Sequence, residues 1–300
     1  MIALLDALLG QTPAADVSGP AQINLVQAII LGIVQGLTEF LPISSSAHLK
    51  VVPIAFGWGD PGVAYTAVIQ LGSIVAVLWY FWQDLTTITF GAVDAVVRRD
   101  YKSQEFRIAL GIVLGTIPIV FFGLLIKALV PDFDNSPLRS LASIAIASIL
   151  MSLLLAIAEK TGRRQRSFEK LTVPDGILMG LAEAIALIPG CSRSGSTLTA
   201  GLFMGLERPA AARFSFLLGI PAITLAGLVE LKGALGEGIG DAGVAALIVG
   251  TISAFVFSYL SIAWLMKFLQ TQNTWVFVWY RLAFGVAILT ALAGGAVNNI

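Results

Sequence analysis

Two apolar stretches of this chain are long enough to enter a membrane, yet each is broken in the middle by polar residues. The first runs from about 22 to 56 and is interrupted by "TEFLPISSSAHLK" (38 to 50). The second runs from about 172 to 206 and is interrupted by "PGCSRSGST" (189 to 197). Each break contains a Pro followed by a Ser-rich turn. Backbone groups left unpaired in lipid are expensive, so irregular chain at membrane depth is tolerated only where protein buries it or a wet cavity receives it. A re-entrant helix–loop–helix hairpin is therefore the expected form of both stretches.

The rest of the chain sets the medium. With 57% hydrophobic residues, 12% charged residues and a mean hydropathy of +0.89, there is too little polar surface to coat a water-soluble globule of 300 residues. Six further segments supply the roughly 20 apolar residues that cross about 30 Å of hydrocarbon: 61–82, 106–128, 138–159, 209–229, 242–265 and 275–296. Net charge is zero and the basic residues occur in short runs, which excludes a nucleic-acid-binding field. The one cysteine, Cys191, has no partner for an internal disulfide. Residues 1–21 lack a basic n-region and read as an N-terminal extension, not a cleaved leader.

The two broken stretches also resemble each other. Gly36-Leu37-Thr38-Glu39 matches Gly180-Leu181-Ala182-Glu183, and a Pro with Ser three residues on follows each, Pro42 to Ser45 and Pro189 to Ser192. A Gly/Ile/Pro step recurs later in each half, ending at Pro118 and Pro221. The expected architecture is an all-α integral membrane protein built as an inverted-topology repeat. Each half has one re-entrant hairpin plus three transmembrane helices, 22–160 and 172–300, joined by a basic linker at 161–171.

An odd number of crossings per half inverts the second copy. Charge agrees with that arrangement: Arg98, Arg99, Lys102 and Arg107 in the linker 83–107, and Lys160, Arg163, Arg164, Arg166 and Lys170 further on, are separated by two spans. Both runs can be cytoplasmic, which puts the acidic loop 230–241 and both termini outside. The first hairpin then enters from outside and the second from the cytoplasm.

Ionisable groups at membrane depth are candidates for function by default. The hairpins hold Glu39, His48, Glu183 and Arg193, and Gln35 shares a helical face with Glu39 four residues on. In the second loop Gly190, Ser192, Arg193, Ser194 and Thr197 surround the start of the following helix. Free N–H groups, the helix dipole and a guanidinium fork there suit a phosphate or diphosphate. The loop is neither a Walker loop, lacking Gly-Lys-Ser/Thr, nor a cysteine-phosphatase loop, because Thr197 stands where the latter needs Arg. The first loop offers what hydrolysis needs: the Glu39 carboxylate, the hydroxyls of Ser44, Ser45 and Ser46, and the His48 imidazole.

Plainer readings stand beside these. The serines can serve as helix caps, Glu183 as a structural hydrogen-bond partner, and Arg281 as a snorkelling or bracing residue. Glu207, Arg208 and Arg213 read as topology charges at the cytoplasmic interface.

"GLTEFLPISSSAHL" (36 to 49), "PGCSRSGST" and "RFSFLLGIP" (213 to 221), in this order and apolar setting, resemble the undecaprenyl-diphosphate phosphatase family, also called bacitracin-resistance proteins. The resemblance runs from about residue 22 to near the end of the chain. It implies a bacterial inner-membrane hydrolase that converts undecaprenyl diphosphate to undecaprenyl phosphate and inorganic phosphate, recycling the lipid carrier for cell-wall synthesis. It also implies a site opening to the outer face. Residue by residue, Gln35 and Glu39 fall on the family's acidic motif, whose first position is here Gln instead of Glu. Ser45 and His48 fall on its catalytic loop and Arg193 on its essential arginine, with Ser45 or His48 as nucleophile. No tightly bound cofactor is expected. The family implies a divalent cation, Mg²⁺ or Ca²⁺, that would bridge the diphosphate and Glu39.

Inverted repeats with broken helices are also a transporter architecture. A flippase for the polyprenyl phosphate, alone or beside phosphatase activity, is the rival reading, and a non-catalytic lipid-binding protein is a third. The other major class of membrane lipid phosphatase needs a His after its arginine, and none follows Arg193. The partners expected are the polyprenyl diphosphate and membrane lipid, with no nucleic acid; a homodimer is left open by the sequence.

Overall fold

Asn24 starts the first helix with a reciprocal cap. Its side chain accepts from the Gln27 N–H at 2.9 Å while Gln27 accepts from the Asn24 N–H at 2.9 Å. This helix, α1 (Leu25–Phe40), stops at Leu41 because the following Pro42 disfavours a helical conformation before it. The chain resumes as α2 (Ser45–Ala55), then α3 (Gly62–Tyr80), α4 (Trp82–Arg98), α5 (Gln104–Leu129) and α6 (Leu141–Thr161). A second short pair follows, α7 (Val173–Ala184) and α8 (Arg193–Phe203), and then α9 (Arg208–Glu237), α10 (Val244–Thr271) and α11 (Trp275–Ala293). The computed structural model describes residues 23–130, 133, 136–237 and 243–299. The N-terminal extension and residues 238–242 of the acidic loop lie outside the described residues.

Among the described residues, five helices are long and apolar enough to cross a membrane, namely α5, α6, α9, α10 and α11. A sixth candidate is α3 taken with α4, which bends away from it by 67°. The sequence reading of 83–107 as a linker is thus corrected: most of it is helical. Likewise α9 continues past 229 to Glu237, and α10 continues past 265 to Thr271, since no Gly or Pro stops either helix at the edge of its apolar run. Large apolar side chains stand exposed along α5, among them Val113, Ile117, Phe121 and Leu124. An integral membrane protein presents such a surface to lipid.

Glycine decides how closely the short pairs pack against the long helices. On α1, a Cβ on Gly32 would sit 2.4 Å from the Gly250 carbonyl of α10. On α7, a Cβ on Gly180 would sit 1.9 Å from the Gly115 carbonyl of α5. Backbones meet at both places with no room for a side chain, the small-residue contact that lets membrane helices associate without a hydrophobic driving force. Behind the short pairs lies a continuous core in which Phe40 meets Phe216 edge to face at 5.3 Å.

Charges gather at one end of the bundle. Glu159, closing α6, bonds Arg208 at 3.0 Å, Arg164 at 3.1 Å and the Thr274 hydroxyl at 2.8 Å. Arg166 pairs with Asp175 at 2.9 Å, and Arg213 pairs with Asp84 at 2.7 Å while covering the Phe168 ring. Arg208 and Arg213 are therefore ion-pair partners that tie α9 to α6 and α4, more than the bare topology charges the sequence suggested.

Candidate active site

Both short pairs turn on a serine in left-handed backbone. Ser44 has φ 76° and Ser192 has φ 70°, and each stands at the N-cap position of the helix that follows. Few non-glycine residues adopt this conformation, and such strain gathers at functional sites. The hydroxyls repeat the match, with Ser44 Oγ 3.2 Å from Ser46 Oγ and Ser192 Oγ 3.3 Å from Ser194 Oγ. The backbone thus pairs Ser44 with Ser192, whereas the Pro-to-Ser spacing in the sequence pairs Ser45 with Ser192. In the structural register Ser45 and Arg193 are equivalent. Each is the first residue of its helix.

The two loops meet at Glu39. Its Oε2 accepts from the Ser45 hydroxyl at 2.7 Å and from Gln35 Nε2 at 3.2 Å, and its Oε1 accepts from Arg193 Nη2 at 3.2 Å. Gln35 is held in turn by Ser73, 3.2 Å away, and Ser73 accepts from Ser258 at 2.8 Å. The side chains of Glu39 and Arg193 are 7% and 10% exposed, so their ion pair is shielded from water. A hydroxyl, a carboxylate and a guanidinium therefore meet at one point, where the two helices that begin at Ser45 and Arg193 start.

Arg193 is only partly satisfied by this pair. Its Nε and Nη1 are buried with no hydrogen-bond partner among the described residues, and the Ser196 hydroxyl is in the same state. Gly219 on α9 makes space for the guanidinium, since a Cβ there would lie 1.8 Å from Nη1. A buried arginine cannot shed its charge, and its remaining donors are chemically suited to an anion. Thr197 turns inward, donating to the Arg193 carbonyl at 2.8 Å, and Ser194 donates to the Leu41 carbonyl at 3.0 Å, stitching the second loop to the first. Gly190 has φ 92° and abuts the Ile144 carbonyl, so it shapes the turn.

His48 stands apart from this cluster. In the neutral ring Nδ1–H donates to the Ser44 carbonyl at 2.7 Å, which leaves Nε2 to accept from the Tyr280 hydroxyl at 2.6 Å. The ring also stacks on Phe284 at 4.3 Å. Both nitrogens are engaged, and His48 has no bond to Ser45, Glu39 or Arg193 in the described residues. It braces the strained serine from behind. Glu183 also differs from expectation: it is fully buried, and neither carboxylate oxygen has a hydrogen-bond partner among the described residues.

Arg281 is 1% exposed and does not snorkel. Its Nη1 donates to the Pro42 carbonyl at 3.1 Å, and Nη2 donates to the carbonyls of Gly190 and Cys191 at 2.8 and 3.0 Å. One side chain from α11 thereby binds the turning point of both loops. Of the two readings the sequence offers for Arg281, snorkelling and bracing, the structure shows bracing. Tyr280 is the residue that sequence reasoning missed at this site, since its signal was only a phenol near the start of an apolar helix. Gly219 sits inside "RFSFLLGIP", a motif whose role was not visible from its letters.

No group of three or more His, Cys, Asp or Glu side chains able to hold a metal occurs among the described residues. Glu39 already accepts from three donors. This donor set does not fit a resident divalent cation.

Residues 28–287 match the family described as bacitracin resistance protein BacA. The undecaprenyl-diphosphatase of Trichormus variabilis is 67% identical over 288 residues, covering 96% of this chain and 90% of the relative. That of a Synechocystis strain is 69% identical over 279 residues, covering 93% of this chain and 86% of the relative. That of a Synechococcus strain is 63% identical over 294 residues, covering 97% of this chain and 99% of the relative. A match running from the first short helix pair to the last span includes both serine loops and the arginine between them, and the chain belongs to the bacitracin resistance protein BacA family.

Proposed function

We propose that this protein is a membrane-embedded undecaprenyl diphosphatase in which Ser45 attacks the terminal phosphorus of the lipid diphosphate. The observation that carries the reading is the shared carboxylate: Glu39 takes the Ser45 hydroxyl hydrogen on one oxygen, at 2.7 Å, and Arg193 on the other. As the Ser45 Oγ–P bond forms, the bridging P–O bond breaks and undecaprenyl phosphate leaves. Glu39 receives the hydroxyl proton. Arg193 turns its spare donors to the equatorial phosphoryl oxygens, joined by the N–H groups at the two helix starts. Glu39 passes the hydroxyl proton to the departing undecaprenyl phosphate. Water then attacks the phosphoserine and gives a proton to the freed Glu39 carboxylate, which returns it to Ser45 Oγ as the Ser45 Oγ–P bond breaks and inorganic phosphate departs.

His48 is left with orientation of the first loop, because its Nε2 lone pair is occupied by Tyr280. A Mg²⁺ or Ca²⁺ ion, where one takes part, would arrive with the diphosphate as its counter-ion and meet Glu39 as its protein contact. The isoprenoid tail would stay in lipid beside the exposed apolar helices. The inverted repeat is supported by the paired left-handed serines and by the glycine contacts α1–α10 and α7–α5, which exchange halves as a pseudo-two-fold axis requires. An inner-membrane location with the site facing outward, and with the charged end of the bundle in the cytoplasm, follows the positive-inside rule.

Phosphate release from a polyprenyl diphosphate by the purified protein tests this directly. Wild type should release phosphate, and Ser45→Ala, Glu39→Gln and Arg193→Ala should not. Tight lipid binding with no phosphate release in the wild type would instead favour lipid transport.

A further inference from the structure

Helix α4 serves nothing in the chemistry above, and its surface is divided three ways. Ile88 and Ala95 are buried against the protein, and Gly91 lies against the Glu105 side chain of α5. At about 100° per residue, Trp82, Phe90, Val93 and Val97 share a stripe roughly 80° wide. These four are all exposed, Phe90 by 72% and Val97 by 76%. Next to them comes an exposed polar strip with Gln83, Thr87 and Asp94. A helix buried in protein needs one apolar face, and a helix in water has no use for a second. One face for the protein, one for hydrocarbon and one for water is the division expected of a helix lying at a bilayer surface.

Its setting agrees with that position. The 67° bend after Tyr80 turns α4 away from the direction of α3, and the Arg213–Asp84 pair fixes its first turn to α9. The far end is basic. Arg98 forms only an exposed pair with Asp94, while Arg99 and Lys102 are exposed without an ion pair among the described residues. We propose that α4 docks on an anionic phospholipid surface, with Trp82, Phe90 and Val97 entering the edge of the hydrocarbon and Arg98, Arg99 and Lys102 holding lipid phosphates. Phosphatidylglycerol-type headgroups supply the complementary charge.

Nitroxide labels at Phe90→Cys, Val97→Cys and Thr87→Cys test the placement in the full chain reconstituted in nanodiscs; the native Cys191 is buried. Labels at 90 and 97 should be open to oxygen and closed to a water-soluble relaxant, with the reverse at 87. Equal access of the aqueous relaxant to all three would overturn the proposal, as would spin–spin broadening at 97, which would assign the stripe to a second copy of this chain. Charge is tested by the triple variant Arg98→Gln, Arg99→Gln, Lys102→Gln. The wild type should retain phosphatidylglycerol over phosphatidylcholine, and each removed charge should lower that preference by roughly five-fold. An unchanged preference with intact labels at 90 and 97 would remove the anionic headgroup from the proposal.

Discussion

The loops Ser44-Ser45-Ser46 and Ser192-Arg193-Ser194 share one backbone and carry different chemistry. Each has a left-handed serine, each starts a helix of eleven residues, and each places a flanking hydroxyl two residues on. The difference is one side chain, a hydroxyl in the first copy and a guanidinium in the second. The two turns each start a helix beside Glu39. In the proposed mechanism the residue at the first helical position differs so that Arg193 holds the phosphoryl group while Ser45 attacks it.

The largest effect should come from that single difference. Arg193→Ala should lower kcat by about 10³-fold or more, as loss of an arginine on a transferring phosphoryl does, and Ser45→Ala should match it. A Ser45→Ala enzyme that keeps a tenth of wild-type activity while Arg193→Ala has none would assign the attack to water and leave the loops unequal in importance. Next comes the residue that joins the two turns. Arg281→Met leaves the carbonyls of Pro42, Gly190 and Cys191 without their donor, and the cost should be about 3 kcal/mol, read as a lowered Tm in detergent. If Tm holds and activity alone falls, the joint serves geometry and not stability.

Gly219→Ala should act on the second loop only. A methyl 1.8 Å from Arg193 Nη1 must displace the guanidinium, and a fall of roughly 10- to 100-fold in kcat/KM is expected with helix content unchanged by circular dichroism. The smallest effect separates the two caps. Ser192 Oγ accepts from the Gly195 N–H at 3.1 Å, while Ser44 makes no side-chain cap bond. Ser192→Ala should therefore cost about 1 kcal/mol in urea or thermal unfolding, and Ser44→Ala clearly less. Equal losses would mean that strain at the left-handed residue, common to both, governs these positions.

Much of the molecule was legible in its letters. Apolar length located five helices long and apolar enough to cross a membrane, and among the polar residues that such a setting makes costly are Glu39, Ser45 and Arg193, which the fold brings together. The register between the two loops was not legible. Counting from Pro42 and Pro189 aligns Ser45 with Ser192, and only the dihedral angles of Ser44 and Ser192 move the match by one. The surroundings of His48 were not legible for a related reason: its nitrogens are taken by Ser44 and Tyr280, the latter distant in sequence. The turn after Tyr80 was also hidden, since hydropathy registers composition and is blind to direction.

By itself the sequence determined the medium, the broken helices and the residues too polar to be idle, because transfer free energy belongs to each side chain wherever it lies. Tertiary structure alone decided which of those residues touch. Glu39 becomes the shared acceptor of Ser45 and Arg193, and Arg281 the link between both turns, only because glycine contacts bring the short helices close enough for bonds of about 3 Å to form across separations that no local pattern encodes.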